Sequence, residues 1–434
     1  MSEIAVDPLL AEAARVLETG DWRRSAASCR AALAERESAE AYLGLATALW
    51  CGYEIEPALG HMKTAYRLLR DAAQAARAAR VACWIAMEEA LRRGNPNVAR
   101  GWFGRAARLL EEAGACPERN WYAVTLASFE GDLEGLARAA AAAVEDSRRF
   151  GDRDLEMLAL ACWGQALVGL GRVGEGMRLL DEAMAGVVGG EVSSPMTVSD
   201  CLCVMVTACE LAGDLGRAEE WSRVALEAAR AKSLGFLAAT CATSYGSILV
   251  LLGRHQEAEG ELRRSLEVLE SGHPRAGLAT LVRLADLRRR QGRGEEAKRL
   301  LRRAPDSPGA LRVGAELALE GADGDRALQL ARRAAETARA GPVSERAVAL
   351  GVLVRAAAAR GEVAEAQAAL GDLERAANSV GTSLMLGGLW LARGALAGAR
   401  GGGQESIAAY WEAAGLYSEA GAVFDAAQAR LRLA

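Results

Sequence analysis

GDRDLEMLALACWGQALVGLGRVGEGMRLLDEAM, residues 151–184, contains one complete structural unit of this chain. Leu155, Leu158, Cys162, Leu167 and Leu170 recur at helical spacing and mark one apolar face. Gly171-Arg172 then breaks the pattern, and a glycine accepts the left-handed conformation that ends a helix. Beyond it Gly176, Leu180 and Ala183 stand five, nine and twelve residues after Gly171 and restore the helical period. Two helices joined by a tight turn are predicted, with small residues where the second crosses the first.

The same break recurs along the chain, at Gly20-Asp21, Gly52-Tyr53, Gly94-Asn95, Gly131-Asp132, Gly213-Asp214, Gly253-Arg254, Gly292-Arg293 and Gly361-Glu362. Most gaps run from 32 to 42 residues; the last holds two units, with a blurred turn near Gly321–Gly324. Five residues after the glycine come Ser25, Ala99, Gly176, Ala218, Ala258, Ala297 and Ala366, with Leu136 as the exception. Twelve after it come Ala32, Ala106, Ala143, Ala183, Ala225, Ser265 and Ala304. Nine after it Phe103, Leu180, Leu262, Leu301 and Leu370 supply bulk between units. A register held across so many units predicts a stacked array of about eleven helix-turn-helix pairs.

Composition agrees. The 434 residues are 51% apolar and 25% charged, which suits a folded chain and excludes wholesale disorder. Aromatics are only 5%, while alanine and glycine abound, favouring closely packed helices over a β-sandwich. The formal charge of −5 provides no basic field for nucleic acid. Arg283 to Arg303 is locally basic, and is read as a solvated helix face and turn. No N-terminal secretory pattern appears, and no apolar run approaches the ~20 residues of a membrane span. Nine cysteines without a paired framework suggest reduced thiols and a cytoplasmic setting.

At the turn glycines and small positions quoted above, the chain resembles the tetratricopeptide repeat family, whose period is about 34 residues. That resemblance implies an all-α solenoid, a right-handed superhelix running through residues 1–434, with candidate joints at 186–195, 304–309 and 401–403. Gly101–Leu110 and residues 151–184 are also similar to the repeat regions of large actinobacterial LuxR-type regulators. In those proteins a helix-turn-helix typically follows, sometimes with an upstream ATPase. Here no G-x-x-x-x-G-K-[ST] motif occurs, and the chain stops at Ala434 where the DNA-binding domain would be expected. The resemblance implies a sensory or scaffold module, with no direct contact to nucleic acid expected.

In the tetratricopeptide family the concave face comes from first helices, about ten, six and three residues before the turn glycine. Ten and six residues before give Trp84 and Glu88, Trp121 and Thr125, Cys203 and Thr207, and Thr243 and Ser247. The same offsets give Ala161 and Gln165, then Val282 and Asp286, with Tyr42, Tyr122, Asp200, Thr240 and Arg312 within reach. Two tryptophans beside a carboxylate and a polar wall would make a binding groove, the indoles giving contact area and the polar groups orientation. Equally open is that Trp84 and Trp121 pack between repeats. The family's carboxylate clamp uses Lys and Asn at such positions, and neither appears.

No catalytic or metal site is predicted, and no cofactor. His61, His255 and His273 lie in different units, too far apart for a shared ion or a triad. Cys201 and Cys209 point away from Cys203 on one helix, while Cys201 and Cys241 occupy equivalent places in adjoining units. Buried apolar cysteine is the plain reading, a thiolate site for a soft metal the sharper one. Three functions remain in view. A non-catalytic regulatory scaffold holding a protein or peptide leads; a small-molecule sensor or sequestration protein is the alternative. An enzyme on a repeat scaffold is the third, with Glu88, Asp200, Asp286 or Glu316 as acid or base. No membrane partner is expected, and a terminal helix such as 422–434 could cap the array or join a second copy.

Overall fold

The computed structural model describes residues 7–231, 234–272, 277–304 and 307–433, so His273 and residues 305–306 of one candidate joint lie outside the described residues. Every regular element among the described residues is a helix. In chain order these are α1 (Pro8–Glu18), α2 (Trp22–Glu35), α3 (Ala39–Cys51), α4 (Ile55–Asp71), α5 (Ala75–Leu91), α6 (Pro96–Ala113), α7 (Glu118–Glu130) and α8 (Leu133–Phe150). Then come α9 (Arg153–Gly169), α10 (Val173–Val188), α11 (Pro195–Ala212), α12 (Leu215–Ala231), α13 (Gly235–Leu251), α14 (His255–Gly272), α15 (Leu278–Arg290) and α16 (Gly294–Leu301). The last are α17 (Pro308–Glu320), α18 (Gly324–Thr337), α19 (Val343–Ala359), α20 (Val363–Val380), α21 (Ser383–Ala399), α22 (Gly403–Glu419) and α23 (Val423–Leu431). Among the described residues these make eleven helix pairs and one further helix, α23.

The repeat register accounts for the packing within each pair. In the fifth, Asp152 caps α9 by accepting from the Leu155 N–H at 3.0 Å, and Gly171 turns the chain with φ of 86°. The small residues five and twelve positions beyond the turn are buried in every aligned unit, from Ser25 and Ala32 to Ala297 and Ala304. One turn differs from expectation. At Gly52-Tyr53 the left-handed residue is Tyr53, with φ of 64°, while Gly52 has φ of −75°. Gly52 is needed for proximity instead, since a Cβ there would stand 2.7 Å from the Trp22 ring.

Odd-numbered helices form the inner layer and even-numbered ones the outer layer. In α9 thirteen of 17 residues are buried, against six of 16 in α10, so the inner helix is sandwiched while its partner keeps a solvent face. The same position explains α11. Its 18 residues are long and apolar enough to cross a membrane, a run the sequence reading passed over, yet α11 sits mid-array between α9 and α13.

The array coils tightly. Helix α3 packs on α11, and α11 on α19, each four pairs further along. Five pairs apart, Tyr53 meets Gly235, Gly213 meets Thr382 and Leu384, and Leu252 and Gly253 meet Gly421 and Val423. Thr382 Oγ1 donates to the Ala212 carbonyl at 2.9 Å across one such junction. Leu215 and Leu391 share an apolar cluster with Tyr417, Ala422 and Ala426, closing α12 against the last two pairs. One superhelical turn therefore takes four to five pairs, and successive turns stack directly.

Candidate functional site

Only two residues of α11 are exposed, Asp200 and Thr207. Seven apart, they fall on one stripe with the half-buried Cys203 between them. Neighbouring inner helices flank α11, outer helices back it, and α3 and α19 stack above and below. The stripe therefore opens on the interior of the superhelix, which must hold solvent there. Neither Asp200 nor Thr207 makes a hydrogen bond or ion pair among the described residues.

Near Asp200, α5 contributes a buried ionic set. Trp50 Nε1 donates to Glu88 Oε1 at 2.9 Å, and the Arg92 guanidinium lies 2.6 Å from Glu88 Oε2. Surrounding protein raises the Asp200 carboxyl, to about 7; Arg92 opposes that shift and Glu88 adds to it. Because Asp200 itself touches water, direct solvation tempers the rise, and the direction is what matters for function.

The two groove tryptophans have different surroundings. Trp121 is 3% exposed, its Nε1 donating to Asp152 Oδ2 at 2.9 Å, so its ring packs between repeats. Trp84 is half-buried on α5. Between them stands Arg80, whose guanidinium lies 4.1 Å from the Trp121 ring centre and 5.6 Å from that of Trp84. Thr125 gives its hydroxyl to the Trp121 carbonyl at 2.7 Å, and Tyr122 sets its ring edge-on to Phe103. Tyr42 stacks on His61 within the second pair and donates to Glu37 at 3.2 Å. Half-buried Gln165 on α9 makes no hydrogen bond among the described residues.

In the middle of the array most candidate hydroxyls serve the fold. Thr243 is buried, with its Oγ1 at 2.6 Å from Ser265 Oγ and 2.8 Å from Thr280 Oγ1, so it does not reach an open face. Ser247 donates to Glu210 at 3.0 Å, and Glu210 also pairs with Arg283. Thr240 has a buried hydroxyl with no hydrogen-bond partner. Of the nine thiols seven are buried; Cys241 interacts with Cys203 rather than Cys201, and that contact, with burial, raises its thiol. No group of His, Cys, Asp and Glu among the described residues is arranged to hold a metal ion.

The inner face of α15, α17 and α19 is charged. Asp286 Oδ1 accepts from Arg289 at 2.8 Å and Oδ2 from Arg290 at 3.2 Å, and Oδ2 also lies 3.7 Å from Arg312. Burial disfavours the Asp286 charge, but Arg289, Arg290 and Arg312 hold its carboxyl well below the ordinary range. Glu316 pairs with Arg355; against burial, Arg355, Arg289 and Arg312 hold it at about 2. Helix α23 closes this region, with Asp425 taking Arg290 at 2.9 Å and Phe424 lying 4.8 Å beneath the same guanidinium.

Sequence reasoning missed Arg80, Arg92, Arg289, Arg290, Arg355 and Asp425. It also took the whole Arg283–Arg303 stretch as solvated. Arg288, Arg289 and Arg290 are instead nearly inaccessible, because their side chains enter ion pairs with Glu259, Asp286, Glu320 and Asp425. Only the later part, such as Arg299, Arg302 and Arg303, is exposed. Three successive arginines ending an inner helix were the available signal, since the last turn of such a helix faces both the interior and the next superhelical turn.

No family model matches the chain, and no curated protein matches it in sequence. Among solved structures it is similar to Cut9–Hcn1, a hetero-tetramer of APC/C, at 10% identity over 97% of this chain and 89% of that one, TM-score 0.49. A Rap protein complexed with Competence and Sporulation Factor aligns at 11% over 95% and 97%, TM-score 0.45. Yeast Tom70 aligns at 12% over 98% and 95%, TM-score 0.39. The fold assignment rests on the chain's own helix geometry, and these likenesses add nothing about what it binds.

Proposed function

We propose that this protein is a non-catalytic scaffold whose inner surface, around α5, α9 and α11, holds an extended segment of a protein partner. One observation carries the reading. The most central inner helix keeps a single solvent stripe, Asp200–Cys203–Thr207, whose polar ends make no hydrogen bond or ion pair among the described residues. Exposed polar groups enclosed by a rigid scaffold have little to gain structurally, and become useful when a ligand supplies the missing hydrogen bonds. Half-buried Gln165 and Trp84, on the inner helices α9 and α5, would add an amide and an indole to that surface. The resemblance of residues 151–184 to LuxR-type repeat regions supports a bacterial regulatory setting for that partner.

The test is affinity purification of the full chain from its native host, beside the variant Asp200→Lys/Thr207→Arg. A stoichiometric protein should accompany the parent chain and be lost with the variant, whose melting temperature stays close to the parent's. Absence of any partner, or equal recovery with both chains, would refute the reading. A second reading, a small metabolite held in the interior, gains support from the stacking of successive turns, which walls off the inner surface. Its mark would be saturable thermal stabilisation by one metabolite class with no protein recovered.

A further inference from the structure

Four guanidinium groups converge on the inner face of the eighth to tenth pairs: Arg289, Arg290, Arg312 and Arg355. Three have close carboxylate partners. Arg289 takes Asp286 and Glu320, Arg290 takes Asp286 and Asp425, and Arg355 takes Glu316. Arg312 differs. Its one ion contact is Asp286 Oδ2 at 3.7 Å, the oxygen that already accepts from Arg290 Nε. It makes no hydrogen bond among the described residues, although guanidinium carries five donors.

The Arg312 side chain is 19% exposed, so a little of it reaches solvent inside the superhelix. Burial disfavours its charge, as do Arg289 and Arg290 close by, while Asp286 and Glu316 favour it; the balance lowers its proton affinity. Enclosed carboxylates here are Asp286, Glu316 and Asp425, with Glu320 at the rim, 36% exposed. Four cations thus face four carboxylates, and among the described residues Arg312 alone of the four lacks a close one. Arg312 is therefore the guanidinium of this group that keeps spare donors toward the interior.

We propose that Arg312 is the recognition point of an oxyanion site on the inner face of α15 and α17, taking a carboxylate or phosphate group. The proposal is independent of the partner-segment reading above, since it uses other helices. Arg290 and Asp425 already show the chemistry on this surface, an arginine closing on a carboxylate beside an aromatic ring.

The experiment titrates the full chain with inorganic phosphate and, separately, with succinate at constant ionic strength, reading melting temperature and binding heat. Saturable stabilisation by either probe is expected; a response to one alone identifies the group. Arg312→Gln should weaken that binding by about tenfold or more, the loss of one charge-assisted contact. Arg312→Lys, which keeps the charge but not the planar fork, should bind in between, and serves if the glutamine variant fails to fold. No saturable response to either probe, or an undiminished one in both variants, overturns the proposal.

Discussion

A Cβ placed on Gly176 would stand 2.4 Å from the carbonyl oxygen of Gly164, so the helices of the fifth pair meet backbone to backbone. Gly176→Val therefore drives a side chain into main chain that cannot yield. The expected cost is about 3 kcal/mol or more by urea denaturation. Gly174→Ala, two residues earlier with nothing within 4 Å, should be neutral or slightly stabilising.

Stability around Asp200 should fall as pH rises. Its folded-state carboxyl is raised above the ordinary carboxylate range, so just above that range the folded chain keeps a proton the unfolded chain has released. Asp200→Asn removes that dependence. Relative to the parent, the variant should gain stability between pH 5 and pH 8 in denaturant melts. An unchanged difference across that range would show that Asp200 is an ordinary surface carboxylate.

Glu316 carries the opposite sign. Held at about 2 in the fold, it contributes stability above the ordinary carboxylate range and loses it as pH falls toward 2. Glu316→Gln should therefore be less stable at neutral pH, because Arg355 loses its partner, and the gap should close on acidification.

Trp121→Ala is a poor probe of binding, since the ring is buried and its loss should cost about 3–5 kcal/mol through the cavity left behind. Trp84→Ala, at a half-buried position, is expected to cost less, so a loss of partner there would report on recognition. Circular-dichroism melts of both variants check this ordering.

Helix α23 is held at its inner side by Asp425 and Phe424 against Arg290. Arg290→Gln should accelerate amide exchange across Val423–Leu431 and leave Val173–Val188 as in the parent. Equal exchange in both segments would show that the apolar contacts of Ala426 and Ala429 suffice.

The helix pairs were legible because their determinants are local. Gly171, Gly176 and Ala183 lie within thirteen residues, and each unit repeats them in register. Superhelical pitch was not, since it comes from a small rotation per pair that accumulates over many residues. Arg290 and Asp425 are 135 residues apart, and no local pattern relates them. The same gap explains the site. Offsets from the turn glycine reached Thr207 and Gln165, but could not reveal that Thr243 would bury itself against Ser265 and Thr280, or that Arg80 would enter between two tryptophans.

An open solenoid behaves as a nearest-neighbour chain, in which repeats can fray from either end independently. Contacts such as Thr382 with Ala212, or Leu252 with Gly421, couple units that are not sequential neighbours. Losing one middle pair then removes support from the turns above and below it together. The coiled array should melt more like a globular domain than a row of repeats, and a ligand gripping one inner helix would make itself felt throughout.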